Sequence, residues 1–431
     1  MTSDAPHECY VYVTLPGTSA FVTAGRFQLS LDRSGEARGR FVYGARYLGR
    51  SDAVALDPIE LRLKDGTFET RKLKGLFGAI RDASPDYWGR RVIEKHSRFP
   101  QLGEMDYLLL SPDDRAGALG FGTGKTPPAP LRTFNRTLDL EKLQILADRI
   151  LADAPYPATP SDLAQVEDLL LVGTSIGGAR PKAVVEDDEG LWIAKFNHPE
   201  DRWNFARVEH AMLELARRCG IRAAVSRVVR VGDRDALLVK RFDRRKSEGG
   251  YERARMISGL TLLGAEESST DRRDWSYVVM AETLRKVSGK PKADAAELFR
   301  RMCFNALISN TDDHPRNHAL IAFDRIWNLS PAYDLNPAPW ISIERRDLAM
   351  DCGDFGRFAN IHNLLSQSRR FHLDPAEARI ILEEVEAVVR HQWYGAARAC
   401  GVTEDHCRQI EGAFAYPGFR SEIGAIRPGP S

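Results

Sequence analysis

The 431-residue sequence lacks any long apolar run, and none of its stretches approaches the roughly 20 residues needed to span a bilayer. An excess of charge of one sign is also missing. The chain holds 61 Lys and Arg against 60 Asp and Glu, a formal net charge of +1. This balance argues against a surface that coats nucleic acid nonspecifically. A local basic patch remains compatible with it, and residues 217–246 hold eleven Lys and Arg against three Asp.

Cysteine is scarce, and its six residues show no CxxC spacing. They are Cys9, Cys219, Cys303, Cys352, Cys400 and Cys407. In a chain of this length the pattern is typical of reduced, packed thiols and argues against a zinc site. The first residues carry neither the basic nor the apolar segment of a secretory signal. We therefore expect a cytoplasmic protein with no membrane association.

Internal repeats and low-complexity tracts are absent, and a composition of 43% apolar and 28% charged residues is typical of a globular protein. Periodicity and turn residues predict the secondary structure. Predicted strands lie at 10–13, 27–31, 59–63, 183–196, 224–231 and 235–242, and predicted helices at 139–153, 161–170, 203–219, 292–310 and 374–399. Ser84 is predicted to cap a further helix with Pro85 at its first position, and the chain after about residue 245 is predicted to be mainly helical.

An irregular stretch between two predicted helices carries the most informative polar residues. Asp312 is followed five residues later by Asn317, then by a predicted hairpin, and then by Asp334. Phosphoryl transfer uses such a set, because one carboxylate accepts the proton of the hydroxyl nucleophile while an Asn and a second Asp hold Mg²⁺. A polar turn rich in Asp and Asn is the simpler alternative for the first two residues.

The preceding half of the chain contains groups suited to a nucleotide. Residues 173–182 form a glycine-rich segment ending in Lys182, which is neither a Walker A loop nor the usual kinase glycine loop. Lys195 ends a predicted strand, and Glu209 lies on the next predicted helix. Such a pair holds ATP phosphates in kinases. A hinge-like turn and two solvated charges are the alternatives that these segments leave open.

The order of these segments resembles that of the HipA-like serine/threonine kinases, the toxins of bacterial type II toxin–antitoxin pairs. The resemblance extends over roughly residues 10–415. The similar motifs are Ser84-Pro85-Asp86-Tyr87-Trp88-Gly89-Arg90, Asp113-Asp114-Arg115-Ala116-Gly117-Ala118-Leu119, residues 174–182, Val239-Lys240-Arg241-Phe242-Asp243-Arg244, residues 311–317 and Pro331-Ala332-Tyr333-Asp334.

The resemblance implies an α+β fold: a two-lobed protein-kinase-like structure with an additional N-terminal α/β subdomain and a mainly helical C-terminal lobe. The expected boundaries are 1–130 for the N-terminal subdomain, 131–245 for the small lobe with its phosphate loop and hinge, and 246–416 for the large lobe with the catalytic loop. Residues 417–431 are expected to be a frayed tail.

The resemblance also implies roles for individual residues. Asp312 is the expected catalytic base, Asn317 and Asp334 are the expected Mg²⁺ ligands, and Ser175 matches an inactivating autophosphorylation site. The expected ATP-binding residues are Ile176, Gly177, Gly178, Ala179, Lys182, Lys195, Glu209, Lys240 and Phe242, with Thr174, His314 and Asp313 as further candidates. Asp313 departs from relatives that carry Gly there, and two interpretations are open: it tunes metal affinity or it faces solvent.

The function implied is an ATP- and Mg²⁺-dependent kinase that phosphorylates a translation protein such as an aminoacyl-tRNA synthetase. Its implied partner is a HipB-like helix-turn-helix antitoxin, through which alone it would meet DNA. Two alternatives stay open: a small-molecule or lipid-type kinase, and a catalytically weak, kinase-shaped corepressor.

Overall fold

The computed structural model describes residues 7–97, 101–129, 134–152, 180–267, 272–339 and 342–422. The chain divides into two compact units. Unit 1 comprises Met1–His198, Arg230–Thr261 and Leu320–Trp327, and unit 2 comprises Pro199–Val229, Leu262–Ala319 and Asn328–Ser431. In the described part of the chain, no helix combines the length and the apolar character needed to cross a membrane.

Unit 1 begins with an antiparallel sheet of five strands in the order β4-β3-β2-β1-β5. The strands are β1 (Glu8–Thr14), β2 (Phe21–Leu31), β3 (Ala37–Tyr43), β4 (Thr67–Thr70) and β5 (Leu119–Gly122). Strand β1 has a neighbour on each side, and the residues from Val11 to Thr14 are buried. The predicted strands at 10–13 and 27–31 are therefore confirmed.

Five short helices accompany this sheet: α1 (Ala45–Leu48), α2 (Lys72–Gly75), α3 (Gly78–Asp82), α4 (Tyr87–His96) and α5 (Glu104–Leu110). The predicted strand at 59–63 is wrong. The buried carboxylate of Asp57 accepts hydrogen bonds from the backbone N–H groups of Ile59 at 2.7 Å and Glu60 at 2.6 Å. The side chain thus takes donors that a strand ladder needs, and the segment forms bends instead.

The predicted cap of α4 is also wrong. Asp86, not Ser84, is the N-cap residue, and its Oδ1 accepts a hydrogen bond from the Gly89 N–H at 2.7 Å. Ser84 is 2% exposed, and its hydroxyl has no hydrogen-bond partner. Both residue types are good caps, so local sequence alone does not distinguish them.

The second sheet of unit 1 contains β6 (Asn135–Arg136), β7 (Lys182–Asp187), β8 (Gly190–Phe196) and β10 (Arg234–Lys240), side by side in that order. The predicted helix at 139–153 is confirmed as α6 (Leu140–Leu151). The hairpin of β11 (Arg244–Ser247) and β12 (Gly250–Arg253) follows, then β13 (Arg255–Ser258). The prediction of mainly helical structure directly after 245 is therefore wrong up to residue 258.

Unit 2 is mainly helical, with α7 (Phe205–Arg218), α9 (Tyr277–Val287), α10 (Pro291–Leu307), α11 (Ile361–Ser366), α12 (Pro375–Ala399) and α13 (Glu404–Ile410), together with strand β15 (Asn328–Leu329). The elements β9 (Ser226–Val231), α8 (Gly259–Leu263) and β14 (Ala319–Ala322) lie where the chain passes from one unit to the other. The predicted helices at 203–219, 292–310 and 374–399 are confirmed, with ends that shift by a few residues.

Helix α12 shows why local signals suffice in this unit. Asp374 accepts hydrogen bonds from the N–H groups of Ala376 and Glu377, and the Glu377 side chain accepts one from the Asp374 N–H at 3.0 Å. This capping box fixes the first turn. After α13, the segment expected to be a frayed tail begins with a 3-10 turn, Pro417–Arg420, in which Phe419 is buried.

Candidate active site

The catalytic loop predicted from sequence follows α10 in unit 2. Asp312 is exposed, and its backbone oxygen accepts hydrogen bonds from the His314 N–H at 2.8 Å and from the Asn317 side-chain amide at 3.3 Å. A 3-10 turn, Pro315–Asn317, closes the loop. Asp312 and Asn317 are thus brought to one turn, with the Asn317 Oδ1 as the oxygen suited to a cation.

Asp334, the second acidic residue of the pattern, is fastened to the same loop. The backbone N–H of Ser330 donates to the Ala319 oxygen at 2.8 Å, which closes the predicted hairpin. The Tyr333 hydroxyl donates to the Arg316 backbone oxygen at 2.7 Å. Asp334 itself has a φ of +59°, a left-handed conformation that L residues rarely adopt and that concentrates at functional sites.

The charges of this loop favour a cation. Although Asp312 is exposed as a whole residue, neighbouring protein atoms partly desolvate its carboxyl group and raise its pKa, and the nearby Asp334 carboxylate raises it further. His314 and Arg272 partly oppose this rise. A carboxylate whose pKa is raised by a second carboxylate marks a place where a divalent cation would be stabilised, and Mg²⁺ prefers such oxygen ligands.

The described residues contain no group of three or more His, Cys, Asp or Glu side chains that could hold a metal alone. This agrees with the way Mg²⁺ binds at phosphoryl-transfer sites, where one or two carboxylates act together with phosphates and water. The donor set of Asp334 and Asn317 therefore fits an ion that a nucleotide brings with it.

Asp313, next to the expected base, is 1% exposed, so the interpretation that it faces solvent is wrong. Its carboxylate accepts hydrogen bonds from the Asn305 amide at 2.7 Å, from His318 Nε2 at 2.8 Å and from the Tyr277 hydroxyl. Burial, and then the Asp313 carboxylate, raise the pKa of Tyr277 well above its usual range, so the phenol stays a donor. Asp313 thus anchors the loop that presents Asp312.

Sequence reasoning missed Tyr277 and Asn305, the residues that hold Asp313 from α9 and α10. Asn305 also accepts a hydrogen bond from the Asn310 amide at 3.1 Å, which ties the start of the loop to α10. Asn305 is 0% exposed. A polar residue in the middle of an apolar helix stripe was the available signal, because a buried amide requires partners.

In unit 1, two of the expected nucleotide-binding residues face each other across neighbouring strands. Lys182 on β7 is the register partner of Lys195 on β8. Lys182 is 2% exposed, and its ammonium group lies 2.6 Å from the Asp86 carboxylate, whereas Lys195 is half-buried. The structure thus brings the two lysines together but gives them different surroundings.

The expected hinge segment carries several buried charged side chains. Arg241 contacts both oxygens of Asp114 at 2.7 Å and also pairs with Asp243 at 2.8 Å. Arg244 contacts Asp243 at 2.7 Å and Asp114 at 3.1 Å. Two motifs singled out separately in the sequence therefore meet in one ion cluster, which we call the 114–244 cluster: Asp114, Arg241, Asp243 and Arg244.

The electrostatics of the 114–244 cluster follow from its burial. Burial alone would raise the pKa of Asp243, but the guanidinium groups of Arg241 and Arg244 hold it well below its usual range. Burial, and then the positive charge of Arg241, lower the pKa of Arg244 to about 10. The hinge side chains at these positions are therefore structural. Lys240, whose ammonium lies 5.6 Å from the Trp192 ring centre, and half-buried Phe242 flank Arg241.

Several of the predicted site residues lie in different units or outside the described residues, so their predicted contacts stay predictions. Glu209 lies on α7 in unit 2 and is 4% exposed, while Lys195 lies in unit 1, so their pairing stays a prediction. The proposed phosphate loop, with Thr174, Ser175, Ile176, Gly177, Gly178 and Ala179, lies outside the described residues. The predicted helix at 161–170 also lies outside them.

Comparison with known proteins identifies relatives of the chain. It is 28% identical over 130 residues to "Putative kinase Y4mE" of Sinorhizobium fredii, covering 30% of this chain and 31% of that protein. It is 24% identical over 225 residues to a "Putative kinase" of Haemophilus influenzae, covering 47% of this chain and 64% of that protein. The chain thus aligns with only part of the length of each.

Among solved structures, the chain matches one from the complex of the Shewanella oneidensis toxin–antitoxin proteins HipA and HipB with operator DNA. The TM-score is 0.66 at 17% identity, with 94% of each chain covered. This likeness confirms the predicted α+β fold. A family profile described as the HipA-like C-terminal domain matches residues 174–393. Because that match covers more than half of the chain and includes the catalytic loop, the chain belongs to the HipA-like C-terminal domain family.

Proposed function

We propose that the protein is an ATP- and Mg²⁺-dependent serine/threonine protein kinase. The observation that carries the proposal is that hydrogen bonds hold Asp312, Asn317 and Asp334 in one loop system. The Asp334 carboxylate is close enough to raise the pKa of Asp312. Phosphoryl transfer depends mainly on positioning and on neutralising phosphate charge. This arrangement supplies a base and a cation site.

In the proposed reaction, the exposed Asp312 carboxylate orients the substrate hydroxyl and accepts its proton. The hydroxyl oxygen bonds to the γ-phosphorus of ATP as the bond to the β,γ-bridging oxygen breaks, and ADP leaves. Mg²⁺, held by Asn317 and Asp334, would neutralise phosphate charge. Lys195, with Glu209 as its proposed partner, would contact the phosphates.

The remaining roles extend the proposal along the chain. Residues Ile176, Gly177, Gly178 and Ala179 would approach the phosphates through their backbone, and Lys240 and Phe242 would border the adenine. Autophosphorylation of Ser175 would inactivate the enzyme, since a dianion is repelled from a loop that contacts other phosphates. His314 lies beside Asp312 and partly opposes the rise in its pKa.

The biological role proposed is that of a toxin restrained by a HipB-like helix-turn-helix antitoxin. The support is the structural match to HipA from a complex with HipB and operator DNA. In the proposed role, the protein would meet DNA only through its antitoxin partner. The proposed target is a translation protein such as an aminoacyl-tRNA synthetase.

The direct test incubates the protein with ATP, Mg²⁺ and host lysate and maps the phosphopeptides that appear. Asp312→Asn is the inactive comparison. Asp347→Asn is the matched control, because Asp347 also lies in unit 2 but forms a partly exposed ion pair with Arg345. New phosphoserine or phosphothreonine with wild type and Asp347→Asn only supports the proposal. Modification of a metabolite alone would favour a small-molecule kinase, and no modification would favour a corepressor.

Mass spectrometry of protein purified without antitoxin tests the proposed self-inactivation. We expect phosphate on Ser175 in the wild type and none in Asp312→Asn. An active wild-type preparation with unmodified Ser175 contradicts this part of the proposal.

A further inference from the structure

The first turn of α4 holds a single residue of β7 at two points. Asp86 Oδ2 lies 2.6 Å from the Lys182 ammonium, and the Trp88 indole N–H donates to the Lys182 backbone oxygen at 3.1 Å. All three residues are in unit 1, and the Lys182 and Asp86 side chains are 2% and 9% exposed. The proposed reaction does not use the motif around Ser84-Pro85-Asp86. This motif instead contacts Lys182, the first residue of β7, through both its side chain and its backbone.

The surroundings of Lys182 differ from what a phosphate ligand requires. A lysine that binds a nucleotide presents its ammonium group to a site that the nucleotide can enter. The ammonium group of Lys182 instead lies in the interior, against a carboxylate. A buried ammonium is costly unless it is paired, and the Asp86 carboxylate provides that pairing. Using Lys182 for phosphate would break this pair and leave Asp86 buried without it.

The register between strands gives the pair a second consequence. Lys182 and Lys195 are directly opposite on antiparallel strands, where like charges disfavour each other. Asp86 neutralises Lys182 and so permits a second cation beside it. Half-buried Lys195 is then the member of the pair with access to a ligand.

We propose that Lys182 is not a nucleotide ligand but the anchor by which Asp86 and Trp88 fix the start of β7, which leaves Lys195 as the nucleotide-binding lysine of the two. Asp86 is thus a positioning residue. This inference rests on the proposed kinase function for its nucleotide readout, and it replaces the ATP-binding role that the resemblance implied for Lys182.

The first test measures MgATP binding by calorimetry in the full chain. Asp86→Asn keeps the helix cap, since Asn and Asp cap equally well, but it removes the negative charge 2.6 Å from the Lys182 ammonium. We expect Asp86→Asn to weaken MgATP binding by about tenfold or more through misplacement of β7. The doubly neutral Asp86→Asn/Lys182→Met variant is expected to bind within about threefold of wild type, and Lys195→Met is expected to lose binding.

A direct phosphate contact by Lys182 predicts the opposite pattern. Asp86→Asn would then release the ammonium and preserve or strengthen MgATP binding, while the doubly neutral variant would be as defective as Lys182→Met. Either of these results overturns the proposal.

A second measurement separates the anchor from the kinase function. Thermal unfolding is compared with that of Asp374→Asn, which neutralises the N-cap aspartate of α12, whose side chain accepts hydrogen bonds from the backbone N–H groups of Ala376 and Glu377. We expect Asp86→Asn to lower the unfolding temperature more than Asp374→Asn, and the doubly neutral variant to recover most of the loss. Wild type that fails to bind MgATP while this pattern holds contradicts the kinase, not the anchor. Equal effects of Asp86→Asn and Asp374→Asn contradict the anchor.

Discussion

Neutralising Asp114 should destabilise the protein far more than its single charge suggests. Asp114 is 0% exposed, and its two oxygens lie 2.7 Å from Arg241, with Arg244 at 3.1 Å. The 114–244 cluster balances two guanidinium groups with two carboxylates. In Asp114→Asn one buried guanidinium charge has no counter-charge, and breaking a buried ion pair in this way costs about 3–5 kcal/mol.

That cost is a large share of the roughly 5–15 kcal/mol that stabilises a typical folded protein. The matched control is Asp52→Asn in the same unit. Asp52 pairs with Arg50 at 2.8 Å, but their side chains are 52% and 42% exposed. Exposed pairs contribute about 1 kcal/mol or less. The distances of the two pairs are alike, so the comparison isolates burial.

Equilibrium unfolding in urea, followed by tryptophan fluorescence, measures both variants. We expect the free energy of unfolding to fall by about 3 kcal/mol or more for Asp114→Asn and by much less for the exposed Asp52→Asn. A loss for Asp114→Asn no larger than that of the control would refute the reasoning that the buried cluster depends on charge balance.

Three further perturbations follow from the same contacts. Because the folded-state pKa of Asp243 lies below its unfolded value, its stabilising contribution is present above about pH 4 and is lost on acidification. An equal free energy of unfolding in urea at pH 3 and pH 7 would contradict this. Asp57→Ala removes the acceptor of successive backbone N–H groups and should cost about 1–2 kcal/mol in the same assay. Asp313→Ala removes the acceptor that three buried donors share and should cost about 3 kcal/mol or more and slow phosphoryl transfer. Unchanged stability and turnover would exclude its anchoring role.

Local signals predicted the parts of the fold that local interactions determine. The helix at 374–399 was identifiable because Asp374, Pro375 and Glu377 form their capping box within four residues. The helix at 203–219 was identifiable from its apolar stripe, and Gly220 ends it with a φ of +76°. Neither element needs a distant partner to specify its ends.

Segments whose backbone donors are taken by a side chain, and pairs that are distant in sequence, were mispredicted or missed. Residues 59–63 alternate like a strand, but the Asp57 side chain binds their backbone donors. Asp114 and Arg241 are separated by 127 positions in sequence, so no pattern of neighbouring residues could predict their pairing. Pairing of Asp86 with Lys182, likewise, gives Asp86 a role beyond capping.

The candidate site shows the same division. The spacing of Asp312, Asn317 and Asp334 is sufficient by itself to indicate phosphoryl-transfer chemistry. The five-residue spacing to Asn317 and the family resemblance single out Asp312, whereas the sequence leaves open whether Asp313 tunes metal affinity or faces solvent. Their difference arises from Tyr277 and Asn305, which bury one carboxylate and leave its neighbour exposed.

The central claim is that Asp312 and Asp334 form a phosphoryl-transfer site, and its most direct measurement is the transfer of labelled γ-phosphate from ATP to protein. Wild type and Asp347→Asn are expected to incorporate label with Mg²⁺ and to lose incorporation with EDTA. Asp312→Asn and Asp334→Asn are expected to fold and to incorporate at least about 100-fold less label. Incorporation by Asp312→Asn at the wild-type rate, or none by folded wild type with Mg²⁺, would contradict the claim.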